Sequence, residues 1–396
     1  MIASSLRGVP RGVVVLGLVS LLMDASSELV HALLPLFLVT TLGVSMITVG
    51  LLEGVAEATA MIVKVFSGYV SDWTRRRKPL VLAGYSLGAL SKLAFPLANG
   101  VGLLAGARIV DRIGKGIRGA PRDALIADLA PPEARGASYG LRQALDSVGA
   151  IVGPLLAVAA MAVFAGDIRS ALWVAVVPAA LCVMLILFGV KEPERDRSGD
   201  PVKRITLADV TSLDRRFVFV TSIAVVLTLG RFSEAFLVLR ASDVGMPLAH
   251  APWVMVAMTL TYAAFAFPAG AWADRGHAKR LFGIGLVALI ASDVVLAEAG
   301  GPVAVLAGAA LWGLHLALTQ GLLLALVAAI APPALRGTAF GVFNLATGIT
   351  LFVASAVAGL LWELVGPAST FYAGAAFTMI AGLVLVLRRN DLPSLR

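Results

Sequence analysis

The chain has 396 residues, 59% of them apolar and only 14% charged. Soluble domains carry about 25% charged residues, so a water-soluble globule is excluded and the second solvent must be lipid. The net charge of +8 lies in short loops, not in any nucleic-acid-binding module, which excludes a nucleic-acid partner. The single cysteine, Cys182, excludes an internal disulfide and a Cys-built metal site.

Apolar stretches of about 20 residues cross a bilayer as helices. Twelve are predicted, at 12–40, 45–70, 79–98, 101–126, 137–163, 171–190, 217–239, 249–273, 280–299, 302–330, 338–361 and 368–387. The first begins like a signal peptide, with Arg7 and Arg11 before an apolar run. Asp24 and Glu28 interrupt that run and no cleavage site follows, so it reads as a retained span. Pro35 is expected to bend it. Basic residues gather at alternate span ends: Arg75, Arg76, Arg77 and Lys78, then Arg135, then Lys191 to Arg216, then Arg275, Lys279, Arg280 and Arg336. The opposite side receives Arg169 and Arg240 alone. The basic side is therefore cytoplasmic, with both termini inside. The fold expected is an all-α integral membrane protein. A six-helix bundle at 1–190 and another at 217–396 are joined by a polar cytoplasmic linker at 191–216.

The two halves repeat. Gly68-Tyr69-Val70-Ser71-Asp72 recurs as Gly270-Ala271-Trp272-Ala273-Asp274, and Pro131-Pro132-Glu133-Ala134-Arg135-Gly136 recurs as Pro332-Pro333-Ala334-Leu335-Arg336-Gly337. The offsets are 202 and 201 residues. Two unrelated motif pairs with one period mark a tandem duplication. Gly68 and Gly270 are expected to let neighbouring helices approach. Asp72 and Asp274, with Arg76 and Arg275, are expected to latch a gate at the cytoplasmic ends of spans 2 and 8. In span 5, Gly149 and Gly153 share one face and predict tight packing, and Pro154 a bend. Gly136 with Gly140 predicts the same packing at the start of span 5. Gly84-Tyr85-Ser86-Leu87-Gly88 fits the hydrolase nucleophile elbow. That elbow needs a strand-to-helix turn, and the segment lies inside an apolar span, so it reads as a packing face.

Parallel repeats of six spans suggest a transporter, and over essentially its full length the chain resembles the major facilitator superfamily. Gly68, Asp72, Arg76 and Arg77 match that family's Gly-x-x-x-Asp-(Arg)-x-(Gly)-Arg-Lys loop, with Trp73 and Arg75 departing from it. Gly149, Gly153 and Pro154 match its span 5 antiporter signature, in which Ala157 and Val158 replace the last two glycines. Arg108 and Gly114 match its span 4 signature, where the Arg is linked to proton coupling; Asp111 and Arg112 replace the usual Gln and Gly. The resemblance implies alternating access, with spans 1, 4, 7 and 10 lining a central cavity.

Charges within the spans cost roughly 2.5–3.5 kcal/mol each on insertion scales, and so call for partners or water. Asp24, Glu28 and His31 share a face of span 1, and Glu53, Glu57 and Lys64 a face of span 2. Span 4 carries Arg108, Asp111, Arg112 and Lys115, with Asp111 and Lys115 spaced to pair. Lys92 in span 3 is expected to pair locally or reach the interface. The second half offers Arg231, Glu234, His315 and Gln320. Asp293 and Glu298 are expected near the outer surface and solvated, and Trp253, Trp272 and Trp362 as interface anchors.

Three roles are open to these charges. Asp24, Glu28, Glu53 or Glu57 carries a proton, with Arg108 and Asp111 taking part, because burial disfavours a charged carboxylate. Alternatively Arg108, Arg112 and Arg231, with Glu234, His315 and Gln320, bind an anionic substrate. Or the charges hold the bundle together. The function expected is proton/substrate antiport with export of a small solute, by a monomer in a bacterial inner membrane. The alternative is uptake or exchange of a small organic anion. No Walker A sequence, catalytic constellation, cofactor or metal site is found. An intramembrane enzyme would need a nucleophile or a metal, and a sensor a soluble module; neither is expected.

Overall fold

The computed structural model describes residues 8–74, 76–192, 213–332 and 335–387. Arg75, the Asp72 side chain, residues 193–212 of the expected linker, and Pro333 and Ala334 lie outside that description. Every regular element among the described residues is helical, as lipid demands of a chain whose backbone must satisfy itself.

The helices are α1 (Arg11–Leu36), α2 (Met46–Thr74), α3 (Arg77–Leu97), α4 (Val101–Leu129), α5 (Arg135–Val163), α6 (Ile168–Leu172), α7 (Val176–Gly189), α8 (Arg215–Leu229), α9 (Ala235–Asp243), α10 (Trp253–Trp272), α11 (Ala278–Ala297), α12 (Pro302–Ile330), α13 (Arg336–Leu364) and α14 (Pro367–Leu387). Nine described stretches are long and apolar enough to cross a membrane, and one of them, Trp253–Ala297, holds both α10 and α11. Two further spans fall short for physical reasons. Helix α4 is heavily charged, and span 7 is broken into α8 and α9 by the non-helical residues 230–234. With these, helix is found at each of the twelve predicted positions. Pro35 lies inside α1, and a widened π turn follows at Phe37–Thr41. Large apolar side chains, among them Phe188 and Phe267 at 79% and 84%, are exposed along most of the long helices, an extent of apolar surface that fits lipid.

The chain forms two compact units, Met1–Phe37 with Thr59–Lys203, and Leu38–Ala58 with Arg204–Arg396. Against the division expected at the linker, the first half of α2 is grouped with the second unit. Glycines explain why. A Cβ on Gly54 would lie 2.9 Å from the Phe352 backbone, and one on Gly50 would strike the Ser355 carbonyl. The Glu363 carboxylate accepts the Met46 N–H at 2.8 Å, tying the α2 N-terminus to α13.

In lipid, helices gain little from the hydrophobic effect against one another, so association relies on close packing and interhelical hydrogen bonds. The first unit is built this way. A Cβ on Gly84 would lie 2.7 Å from the Gly114 carbonyl, and one on Gly114 would lie 2.6 Å from that of Gly84. The elbow-like glycines are therefore a packing face. Ser67 Oγ donates to the Gly116 carbonyl at 2.8 Å, a bond type worth about 0.6 kcal/mol on average in membranes. The core of this unit joins Leu16, Val19 and Met23 of α1 to Tyr85, Ile126 and Cys182. Gly136 and Gly140 have no atom within 4 Å of a Cβ position. The tight packing expected at the start of span 5 is absent there.

The two basic residues that sit apart from the other basic loops are both helix caps. Arg169 donates to the Pro96 carbonyl at 2.7 Å, at the end of α3. Arg240 donates to the Leu296, Ala297 and Ala299 carbonyls at 3.0, 3.0 and 3.1 Å, at the end of α11. A cation suits the orphan carbonyls and negative dipole end of a helix. Trp362 is 7% exposed and packs on Phe236 and Phe371; it belongs to an aromatic core, not to the interface where sequence placed it.

Candidate functional site

Two acids in the first unit are seated by two glycines. Asp24 and Glu28 stand one turn apart on α1, and Gly149 and Gly153 one turn apart on α5. A Cβ on Gly149 would lie 2.6 Å from the Leu21 carbonyl and 3.0 Å from Asp24 Cβ. On Gly153 it would lie 2.6 Å from Glu28 Cβ and 2.7 Å from the Ala25 carbonyl. The glycines thus press α5 onto the turns that carry the acids, and buried Pro154 follows directly. Asp24 and Glu28 are themselves half-buried, and His31 Nδ1 lies 3.4 Å from Glu28.

The charges of α4 are arranged differently from expectation. Asp111 does not pair with Lys115, which is exposed. Its Oδ1 takes Lys92 Nζ at 2.7 Å, and its Oδ2 takes two Arg112 nitrogens at 2.9 and 3.2 Å. None of the three side chains is more than 3% exposed. The Gly84–Gly114 approach brings α3 close enough for Lys92 to win. Arg108 is fully buried, and its field acts on Asp111. Arg118 stacks over the Tyr85 ring at 4.8 Å, a cation–π contact. Towards the basic loops, Arg142 bridges Asp123 at 3.2 Å and Asp146 at 2.7 Å, and Arg122 donates to Ser20 Oγ at 2.9 Å. Lys92 was within reach of sequence reasoning: α3 and α4 form a tight hairpin about residues 98–100, which sets Lys92 opposite the Arg108–Asp111 turn.

In the second unit, Glu53 is buried and Glu57 half-buried. These two acids belong to the unit of α13, while Asp24 and Glu28 belong to the other. Arg231 and Glu234 sit half-buried on the break of span 7, within electrostatic reach of each other. His315 is fully buried, with Nδ1 2.8 Å from the Gly285 carbonyl and Nε2 3.4 Å from Thr319 Oγ. That bond ties α12 to α11 and engages the ring in packing; the neighbouring Gln320 is exposed. Gly270 does not admit a neighbouring helix: no atom lies within 4 Å of its Cβ position. It opens instead onto a cavity of about 380 Å³, lined by Ala266, Asp274, Ala317, Gly321 and Ala325 among others. Asp274 and Arg275 stand on a π turn, Ala273–His277, whose Gly276 has φ 87°. Gly68 makes an ordinary contact, 3.5 Å to Ala120 Cβ, and Arg76 is exposed. Tyr372 Oη donates to Glu298. Asp293 is not solvated as expected; it is 0% exposed.

The Major Facilitator Superfamily model matches residues 16–239 and 218–396. The chain belongs to that family. This superfamily member is therefore an integral membrane protein and a secondary transporter of a small-molecule substrate. It is 30% identical over 389 residues, 96% of this chain and 95% of the relative, to an uncharacterized MFS-type transporter of Methanocaldococcus jannaschii. A shorter likeness, 29% over 137 residues, covers 35% of this chain and 34% of the multidrug resistance protein MdtH of Photorhabdus laumondii. A crystal structure of the nucleoside transporter NupG matches with a TM-score of 0.79 at 15% identity, over 95% of this chain and 99% of that one. At that identity the likeness speaks for the fold alone.

Proposed function

We propose that this superfamily member is a proton/substrate antiporter that exports a small solute by alternating access, with Asp24 and Glu28 carrying the proton. The observation that supports this most is the seating of those acids by Gly149 and Gly153. The same two glycines that resemble the family's antiporter signature press on the two turns bearing half-buried carboxylates. The partial likeness to MdtH points the same way. In this reading a proton neutralises Asp24 or Glu28 and loosens its attraction to the cations of α4. That change biases the equilibrium between the two access states. Asp111 serves as a fixed counter-ion, since both of its oxygens are already engaged by Lys92 and Arg112. The same engagement occupies Arg112 and weighs against organic-anion uptake. Asp274, on its glycine-hinged turn beside the cavity, serves the gate with Arg275, as Asp72 does in the first repeat. The membrane is the inner one, with both termini cytoplasmic.

The test is reconstitution with an imposed pH gradient and a panel of cationic, neutral and carboxylate solutes. One class of solute should move against the proton, and Asp24→Asn or Glu28→Gln should abolish the gradient dependence. Transport that runs unchanged without the gradient, with both variants silent, would overturn the reading.

A further inference from the structure

The second unit contains a buried acid that the transport reading does not use. Asp293 of α11 is 0% exposed, and among the described residues neither carboxylate oxygen has a hydrogen-bond partner. Its surroundings are closed and apolar. A Cβ on Gly374 of α14 would lie 2.9 Å from Asp293 Oδ2 and 3.1 Å from Phe232 Cε1, so the acid and that ring flank the same glycine. Phe232 in turn packs against Trp312, Phe371 and Phe236, with ring centroids 5.4, 5.6 and 5.8 Å apart. Trp312 Nε1, also buried, likewise has no partner. Phe232 lies in the break of span 7, where Gly230 presses on the Gly374 carbonyl at 2.8 Å from its Cβ position. The break therefore rests on the acid through one aromatic ring and one glycine.

Among the described residues, the charged groups of the neighbouring elements are engaged elsewhere. On α12 the titratable side chain is His315, bonded to the Gly285 carbonyl, about two turns away along α11. On α14 it is Tyr372, which donates to Glu298. The break itself offers Arg231, which answers to Glu234, and α9 offers Arg240, engaged by the Leu296, Ala297 and Ala299 carbonyls and by Asp243. Asp274, Arg275 and His277 of the π turn, with Lys279 and Arg280, lie at the opposite end of α11, roughly 20 to 28 Å away at 1.5 Å per residue. A metal cation needs several oxygen ligands; the rings supply none, and the Gly374 carbonyl already accepts from Thr378 Oγ1 at 2.9 Å. A bare proton is the one ligand that fits the space and satisfies the acid.

We propose that Asp293 is a second proton-binding site, which loads and releases its proton as the break at residues 230–234 changes its packing. The proposal adds to the antiport reading, and it is testable without any substrate. Infrared spectra of the full chain in phosphatidylethanolamine/phosphatidylglycerol vesicles should show a carboxylic-acid carbonyl band. Asp293→Asn, a neutral near-isostere, should remove that band, and raising the pH should remove it in the unaltered protein. The same titration should change the fluorescence of the Trp312 and Trp362 cluster, and Asp293→Asn should abolish that change. Gly374→Ala keeps the acid but sets a methyl against Oδ2, and should move the midpoint of the band. Three results would each overturn the proposal: a band indifferent to Asp293→Asn, a band that persists at every pH where the protein stays folded, or a midpoint unmoved by Gly374→Ala. Antiport itself fails on a different result, namely transport indifferent to the pH gradient while the Asp293 band still titrates.

Discussion

Asp111 is the hub of the buried charges in the first unit, and the claim has a quantitative form. Lys92 and Arg112 both rest on it, at 2.7 and 2.9 Å, with no side chain more than 3% exposed. Asp111→Asn removes the carboxylate that Lys92 and Arg112 share, and breaking a buried pair in this way costs about 3–5 kcal/mol. Lys92→Met removes one cation but leaves the carboxylate on the Arg112 fork; the loss is that of one charged hydrogen bond, about 1.5–3 kcal/mol. The two variants should thus differ by about 2 kcal/mol, or about thirtyfold in the unfolding constant. Lys115→Met, which would be costly had the i,i+4 pair formed, should stay within about 0.5 kcal/mol of the unaltered protein. Unfolding in mixed micelles, followed by helical circular dichroism, measures all three. Equal losses for Asp111→Asn and Lys92→Met, or a large loss for Lys115→Met, would refute the hub.

Gly153→Ala should lower stability by about 1–3 kcal/mol, since its methyl meets the Glu28 Cβ at 2.6 Å and backbone at 2.7 Å. Gly140→Ala, with nothing within 4 Å, should be close to neutral in the same unfolding assay. Arg240→Met should destabilise by about 1.5–3 kcal/mol through loss of the charged bonds capping α11, and hydrogen exchange should rise first at residues 294–299. Asp167 caps α6 through the Arg169 N–H at 3.1 Å, and its bond with Ser170 holds the carboxyl below its ordinary value. A depressed folded value means that this contribution is present above the usual carboxylate range and is lost as pH falls through it. Asp167→Asn should flatten that acid limb of a thermal-stability profile.

The architecture was legible because lipid leaves few choices. Span positions follow from apolar length, and the duplication from two motif pairs with one period. Local packing was legible where small residues share a face, as at Gly84, Gly114, Gly149 and Gly153. It was misread at Gly136, Gly140 and Gly270, because spacing records which glycines align and not whether a partner helix arrives. Asp111 was assigned to Lys115 since spacing on one helix is visible in sequence, whereas Lys92 arrives through the α3–α4 hairpin. The break in span 7, Gly230-Arg231-Phe232-Ser233-Glu234, carries no proline and lies between two apolar runs, so the span read as continuous. Asp293 was misplaced for a related reason. Its neighbours near the end of a span suggested water, while Phe232, Phe371 and Gly374, which enclose it, come from 60 to 80 residues away in the sequence.

Arg169 and Arg240 are the two basic residues at the helix ends facing away from Arg77 and Lys279. Arg169 closes α3 through the Pro96 carbonyl and the Asn99 side chain, and Arg240 spreads over three terminal carbonyls of α11. A cation placed in this way has a structural reason to sit at that helix end. The two arginines also make a practical marker: in a duplicated transporter of this kind, a solitary arginine on the sparsely charged side points to the helix end it closes.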